Sequence, residues 1–128
     1  MATTILDASA LLALLNDEPG AELVAEAVNQ GAAMSVVNYC EVVGKLRDSG
    51  IALDEVTAIL TPLNIHLFEF TVSHATRAGD LRPETRAAGL SLGDRACLAL
   101  AETLGVPALT TDREWERVTG GVSVTVIR

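Results

Sequence analysis

Hydrophobic positions along the chain follow two rhythms. Short runs of apolar and small residues at Thr3–Leu6, Ala32–Ser35, Ile65–Phe70, Pro107–Thr110 and Val122–Ile127 read as strands. Between them lie longer stretches with helical spacing. Ala8–Leu15 is rich in Ala and Leu, and Asn16-Asp17-Glu18-Pro19-Gly20 punctuates its end. Glu22–Asn29 reads as a second helix with Leu23, Ala27 and Val24 facing inward, stopped by Gly31. Val37–Arg47 carries Val37, Cys40, Val43 and Leu46 at helical spacing and ends at Ser49-Gly50. Leu53–Leu63 has Asp54 and Glu55 in its first turn, where acids suit the helix dipole. Thr71 is placed to cap a helix running to about Ala78, and Arg82-Pro83-Glu84 marks an irregular point. Ser91–Leu104 is the clearest helix: Ser91 caps it, Asp94 stands three residues on and Gly105 follows its end. Asp112–Val118 reads as a short helix.

Strands that alternate with helices predict a three-layer α/β/α sandwich around a mainly parallel sheet, with right-handed crossovers. The chain has 128 residues, 49% of them hydrophobic, enough for one substantial core, so a single domain over residues 1–128 is expected. No repeat or low-complexity tract breaks it. No stretch approaches a membrane span. The apolar N-terminal run has no basic region ahead of it and is interrupted by Asp7, so it reads as a strand and helix of the fold rather than a leader. Cys40 and Cys97 lie far apart within apolar helical patterns, without zinc spacing; two reduced core thiols in a cytoplasmic protein are expected. His66 and His74 show no ligand spacing either.

The formal charge of −8 argues against a general nucleic-acid binder. Its distribution is uneven. Residues 1–44 hold six acids and no Lys or Arg, and seven of the nine basic residues lie from Arg77 onward. A local basic surface from Arg82, Arg86, Arg95, Arg113 and Arg117 is one expectation from this distribution.

Four acids stand out by placement. Asp7 and Asp112 each follow a short strand and precede a helix, positions that suit either a helix cap or a ligand site at the carboxyl edge of a sheet. Glu41 interrupts an apolar stretch; a surface pair with Lys45 is the plain reading, but the neighbours argue against full solvation. Asp94 sits in Ser91-Leu92-Gly93-Asp94, which resembles a capping box. Each alone is ordinary. In a parallel sheet, however, all four point to one edge. Like charges there repel and raise one another's pKa values, a penalty that Mg²⁺ or Mn²⁺ removes through hard oxygen ligation. The chemistry expected of such a pocket, taken to be free of basic side chains, is metal-assisted phosphodiester hydrolysis. No nucleophile triad, P-loop or GxGxxG competes.

Motifs carrying these acids resemble those of PIN-domain ribonucleases, in particular the VapC toxins of toxin–antitoxin pairs. The resemblance rests on Ile5-Leu6-Asp7-Ala8-Ser9, Ser35-Val36-Val37-Asn38-Tyr39-Cys40-Glu41, Leu90-Ser91-Leu92-Gly93-Asp94-Arg95-Ala96 with Ala99-Leu100-Ala101, and Leu109-Thr110-Thr111-Asp112, in that order and over nearly the whole chain. It implies a PIN-like fold and a Mg²⁺- or Mn²⁺-dependent endoribonuclease. The four acids Asp7, Glu41, Asp94 and Asp112 would be its catalytic and metal-binding residues, with Ser9, Asn38 and Thr110 in support. It further implies a homodimer, a tRNA or rRNA substrate, and a VapB-like antitoxin whose C-terminal segment wraps the toxin. A non-catalytic PIN-like module that binds RNA or protein is the alternative. A phosphoacceptor receiver domain would need an acidic pair after the first strand and a late Lys. An aspartyl phosphatase would need a second Asp beyond Asp7-Ala8-Ser9. Neither pattern is present.

Overall fold

A computed structural model describes residues 2–117 and 121–128. Five strands form one fully parallel sheet: β1 (Thr4–Leu6), β2 (Ala32–Ser35), β3 (His66–Phe68), β4 (Ala108–Thr110) and β5 (Val124–Val126), ordered β3-β2-β1-β4-β5. Seven α-helices lie among the described residues: α1 (Ala8–Leu15), α2 (Ala21–Gly31), α3 (Val36–Asp48), α4 (Leu53–Leu60), α5 (Val72–Asp80), α6 (Arg82–Thr85) and α7 (Leu92–Leu104). Short 3₁₀ turns occupy Thr61–Leu63 and Arg113–Arg117. The second replaces the helix predicted over Asp112–Val118; Val118 lies outside the described residues. No helix described is long and apolar enough to cross a membrane.

Pleat alternation divides the interior into two layers. Leu6, Ala32, Met34 and Leu109 face one way, onto Leu11, Val24, Val42, Leu46, Val56 and Leu60 of α1–α4. Ile5, Ala33 and Ala108 face the other way, onto Cys97, Leu98, Leu100 and Ala101 of α7, with Trp115 fully buried among them. Neighbouring residues on one strand thus feed opposite cores, which fixes the strand register and yields the three-layer sandwich.

Local chemistry sets the element ends. Thr71 caps α5 by accepting from the His74 amide at 3.1 Å. Gly105 closes α7 in the left-handed region, φ +67°, where a side chain would be strained. Gly20 turns into α2 at φ +96°, and a Cβ there would run into the backbone of Ile127. Pro62 tightens the end of α4 into the 3₁₀ turn.

Several inward positions differ from the sequence expectation. In α3 the buried stripe is Asn38, Val42 and Leu46, so Cys40 faces solvent rather than the core; two residues beyond Asn38, it lies about 200° around the helix. Cys97 is buried as expected. In α2 Val24 and Ala27 are buried, whereas Leu23 is 48% exposed. Arg95, assigned to a basic surface, is buried and donates from Nη1 to the Ala78 carbonyl at 2.9 Å.

Candidate active site

The sheet order reverses between β1 and β4: β2 and β3 extend to one side, β4 and β5 to the other. At such a switch point the connections leave in opposite directions and open a crevice at the carboxyl edge. Asp7, the residue after β1, sits in it. Its amide donates to the Leu109 carbonyl at 3.2 Å, anchoring it to β4.

Asp7 is also the N-cap of α1. Its Oδ1 accepts from the Ala10 amide at 2.8 Å and from Ser9 Oγ at 2.7 Å. Its Oδ2 accepts from Thr110 Oγ1 at 2.6 Å. Thr110 Oγ1 in turn accepts from the Asp112 amide at 3.0 Å, and Ser9 Oγ from the Thr111 amide at 3.0 Å. Ser9 and Thr110 therefore sew the ends of β1 and β4 together around one carboxylate. Asp112 is exposed and caps its own turn, accepting from the Glu114 amide at 2.9 Å.

Asp94 occupies the third position of α7 in a reciprocal capping box. The Ser91 amide donates to its Oδ2 at 2.8 Å, and its own amide donates to Ser91 Oγ at 3.2 Å. Glu41 reaches toward this turn from α3. Asn38, one helical turn earlier, donates from Nδ2 to Glu41 Oε1 at 2.9 Å and to the Gly93 carbonyl at 3.0 Å. Glu41 is more exposed than its apolar sequence neighbours suggest.

Asp7, Glu41 and Asp94 line one cleft of about 210 Å³ together with Ala8, Ser9, Leu12 and Lys45. Asp112 is not among its lining residues, yet its charge acts on Asp94. Lys45 corrects the expectation of a pocket without basic side chains: helical spacing from Glu41 carries it onto the same wall. Gly93 is the other contributor the sequence did not reveal. A Cβ there would overlap the Glu41 carboxylate. The available signal was a glycine in the first turn of a helix, where Ala is the better helix former.

Burial and mutual repulsion shape the electrostatics. Burial pushes the Asp7 carboxyl up to about 6, and the Asp94 charge adds to this, while hydrogen bonds from Thr110, Ala10 and Ser9 oppose it. Burial also raises the Asp94 carboxyl, with a further push from Asp112, against the Ser91 hydrogen bonds and the Arg95 charge. The buried Cys97 thiol is driven well above its ordinary range by desolvation, then by Asp7, Asp94 and Glu41.

The donor set consists of hard carboxylate oxygens, the kind Mg²⁺ and Mn²⁺ prefer. Glu41 Oε2, Asp94 Oδ1 and Asp112 Oδ2 accept no hydrogen bond among the described residues. Nor, among those residues, do three or more His, Cys, Asp or Glu side chains stand close enough together to hold an ion. The residues thus fit a hard divalent cation in the chemistry of their donors, and Asp7, Glu41 and Asp94 are the ones that would hold it in the cleft.

Comparison with known proteins agrees with this architecture. The PIN domain family model matches residues 4–121. No curated protein matches the sequence significantly. Among solved structures, the DNA-bound VapBC of Salmonella typhimurium is similar at TM-score 0.76 and 18% identity, covering 98% of both chains. VapBC-1 of nontypeable Haemophilus influenzae is similar at TM-score 0.75 and 18% identity, again over 98% of both chains. VapBC-5 of Mycobacterium tuberculosis, a toxin–antitoxin family member, matches at TM-score 0.58 and 21% identity over 100% of this chain and 99% of that one. At these identities the likeness is one of fold. The family match, spanning nearly the whole chain and all four acids, shows that this chain belongs to the PIN domain family.

Proposed function

We propose that this chain is the toxin of a toxin–antitoxin pair, an endoribonuclease that hydrolyses RNA phosphodiesters in its acidic cleft with Mg²⁺ or Mn²⁺. The observation that carries this reading is the meeting of Asp7, Glu41 and Asp94, from three separate elements, in one cleft at the sheet's switch point, two of them with raised pKa values. A fold that holds like charges together in partial burial sacrifices stability, and a divalent cation is the counter-charge that repays it.

When bound, the cation would supply positive charge to the scissile phosphate and to the attacking and leaving oxygens. The protein's own groups do the rest. Ser9 and Thr110 hold Asp7 in one rotamer, so its direction is set before any ligand arrives. The Ser91 box fixes Asp94 at the start of α7 while leaving Oδ1 open. Asp112, exposed and tethered through one oxygen, acts on Asp94 by its charge and would join the set from outside the cleft lining. Lys45, the chain's one lysine, supplies a cation for an RNA phosphate at the cleft wall. Solved structures similar to this chain include a toxin–antitoxin complex from Klebsiella pneumoniae and a member of the VapBC family of toxin–antitoxin systems. That likeness supports a VapB-like antitoxin as the partner; the homodimer, the tRNA or rRNA substrate and the cytoplasmic setting belong to the proposal through the motif resemblance alone. The net charge of −8 suits a partner that presents basic side chains.

The test is cleavage of tRNA and rRNA by the purified chain, free of antitoxin, with Mg²⁺, with Mn²⁺ and with EDTA. Discrete products should appear in both metal arms and vanish with EDTA and with Asp94→Asn. RNA that is bound but left intact in every arm would establish the non-catalytic module instead.

A further inference from the structure

Asn38 is among the most deeply buried polar side chains of the fold, at 1% exposure, and its amide is used unevenly. Both hydrogens of Nδ2 are engaged, one on Glu41 Oε1 at 2.9 Å and one on the Gly93 carbonyl at 3.0 Å. Its Oδ1 is buried and accepts no hydrogen bond among the described residues. The orientation is nevertheless determined. Turning the amide over would set its oxygen against a carboxylate and a carbonyl, two acceptors facing a third. The amide therefore aims both of its donors at α3's acid and α7's backbone together.

Gly93 completes the arrangement. It is buried in the first turn of α7, and a Cβ there would overlap the Glu41 carboxyl group. The Glu41 carboxylate thus lies directly on the α-carbon of Gly93, one residue before Asp94. Here the free amide end of α7 favours negative charge. A side chain at this position would push the Glu41 carboxylate out of that space.

We propose that Asn38 and Gly93 are positioning residues: a clamp and a cradle that together hold the Glu41 carboxylate of α3 beside Asp94 of α7, and by doing so set the affinity of the cleft for a divalent cation. The inference rests on the reading of the cleft as a Mg²⁺ or Mn²⁺ site. It assigns to Asn38 no contact with substrate; Asn38 acts through Glu41. Outer partners of this kind change metal affinity by about 10- to 100-fold when removed.

Two measurements on the whole chain separate the clamp from its consequence. The first is a double-mutant cycle of Asn38→Ala and Glu41→Gln in urea unfolding with EDTA, which reads the pair without metal. A shared interaction makes the two midpoint shifts non-additive, and strict additivity overturns the clamp. The second is Mn²⁺ titration calorimetry on the wild type, Asn38→Ala, Gly93→Ala and each of these combined with Glu41→Gln. Wild type should bind Mn²⁺, and Asn38→Ala and Gly93→Ala should each weaken it at least about tenfold. Neither should weaken it further once Glu41 is Gln. Gly93→Ala with Glu41→Ala removes the overlap, so it restores folding should Gly93→Ala alone fail to fold. Mn²⁺ affinity unchanged by Asn38→Ala, or lowered equally with and without Glu41, overturns the positioning role. Wild type that binds no Mn²⁺ while the metal-free coupling persists overturns the metal reading, and the role given to the clamp falls with it.

Discussion

Replacing Asp7 with Asn should stabilise the metal-free protein above neutral pH, although it removes a proposed active-site residue. The folded-state pKa of Asp7 is raised from 3.8 to about 6, first by burial. The folded state therefore holds this proton more tightly than the unfolded chain does. Relative to high pH, the favourable contribution is fully present below pH 3.8, falls as the unfolded chain ionises, and is gone once pH has risen through about 6. Above that the buried carboxylate costs about 3 kcal/mol, at about 1.4 kcal/mol per pKa unit. Asn removes this charge and keeps one acceptor oxygen for the Ala10 amide and Ser9 hydroxyl. It replaces the other acceptor with a donor facing Thr110 Oγ1, which must then turn its hydrogen elsewhere, at a cost of about 1 kcal/mol. The net gain is about 2 kcal/mol, or about 7 °C in melting temperature for a domain of this size. Thermal unfolding in EDTA at pH 8 and pH 4.5 measures it: Asp7→Asn should melt higher at pH 8, and the difference should close or invert at pH 4.5. Saturating Mn²⁺ should raise the melting temperature of the wild type and leave the variant unchanged. A variant less stable than wild type by the same margin at both pH values would refute the claim that burial penalises this charge.

Other consequences follow from the packing. Trp115 is fully buried in the second core layer, so Trp115→Ala should cost about 3–5 kcal/mol and lower the melting temperature by at least about 10 °C in a scanning-calorimetry trace. Cys40 is exposed and Cys97 buried with a raised pKa, so a chromogenic disulfide reagent should titrate one thiol in the native protein and two in guanidinium. Two fast thiols in the native state would contradict the assigned packing of α3 and α7.

Much of this architecture is written locally. Ala8–Leu15, Ala32–Ser35 and the Ser91 capping box are legible because their determinants lie within a few residues: a run of helix formers, an apolar strand, a hydroxyl three residues before an acid. What was not legible depends on partners far along the chain. Asn38 turns inward because Gly93, 55 residues later, offers a carbonyl, and a polar residue gives no hydrophobic signal of such burial. In the α3 stripe Leu46 was read correctly, but Cys40 was placed inside where Asn38 and Val42 are. Arg95 is buried because the Ala78 carbonyl of α5 meets its guanidinium, and composition alone placed it on the surface. β3 is shorter than the predicted Ile65–Phe70 because, on the sheet's edge, only His66–Phe68 find partners on β2. Asp7's place at the carboxyl edge of β1 was readable from the strand–acid–helix pattern; Asp112 shows a similar pattern but does not line the cleft. Lys45 shares Glu41's face of α3 by its i,i+4 spacing, but that this face forms the cleft wall depends on α1 and α7 packing beside it.

The central claim is that Asp7, Glu41, Asp94 and Asp112 act as one cation-dependent unit. Single-turnover RNA cleavage in Mg²⁺ by the wild type, Asp7→Asn, Glu41→Gln, Asp94→Asn, Asp112→Asn and the Asp7/Asp94 double variant tests it most directly. The account predicts that each single change lowers the rate by at least about 100-fold, and that the double variant is scarcely slower than the worse of its two singles, as for groups that work together. Full activity in any single variant, or losses that simply multiply in the double, would contradict it.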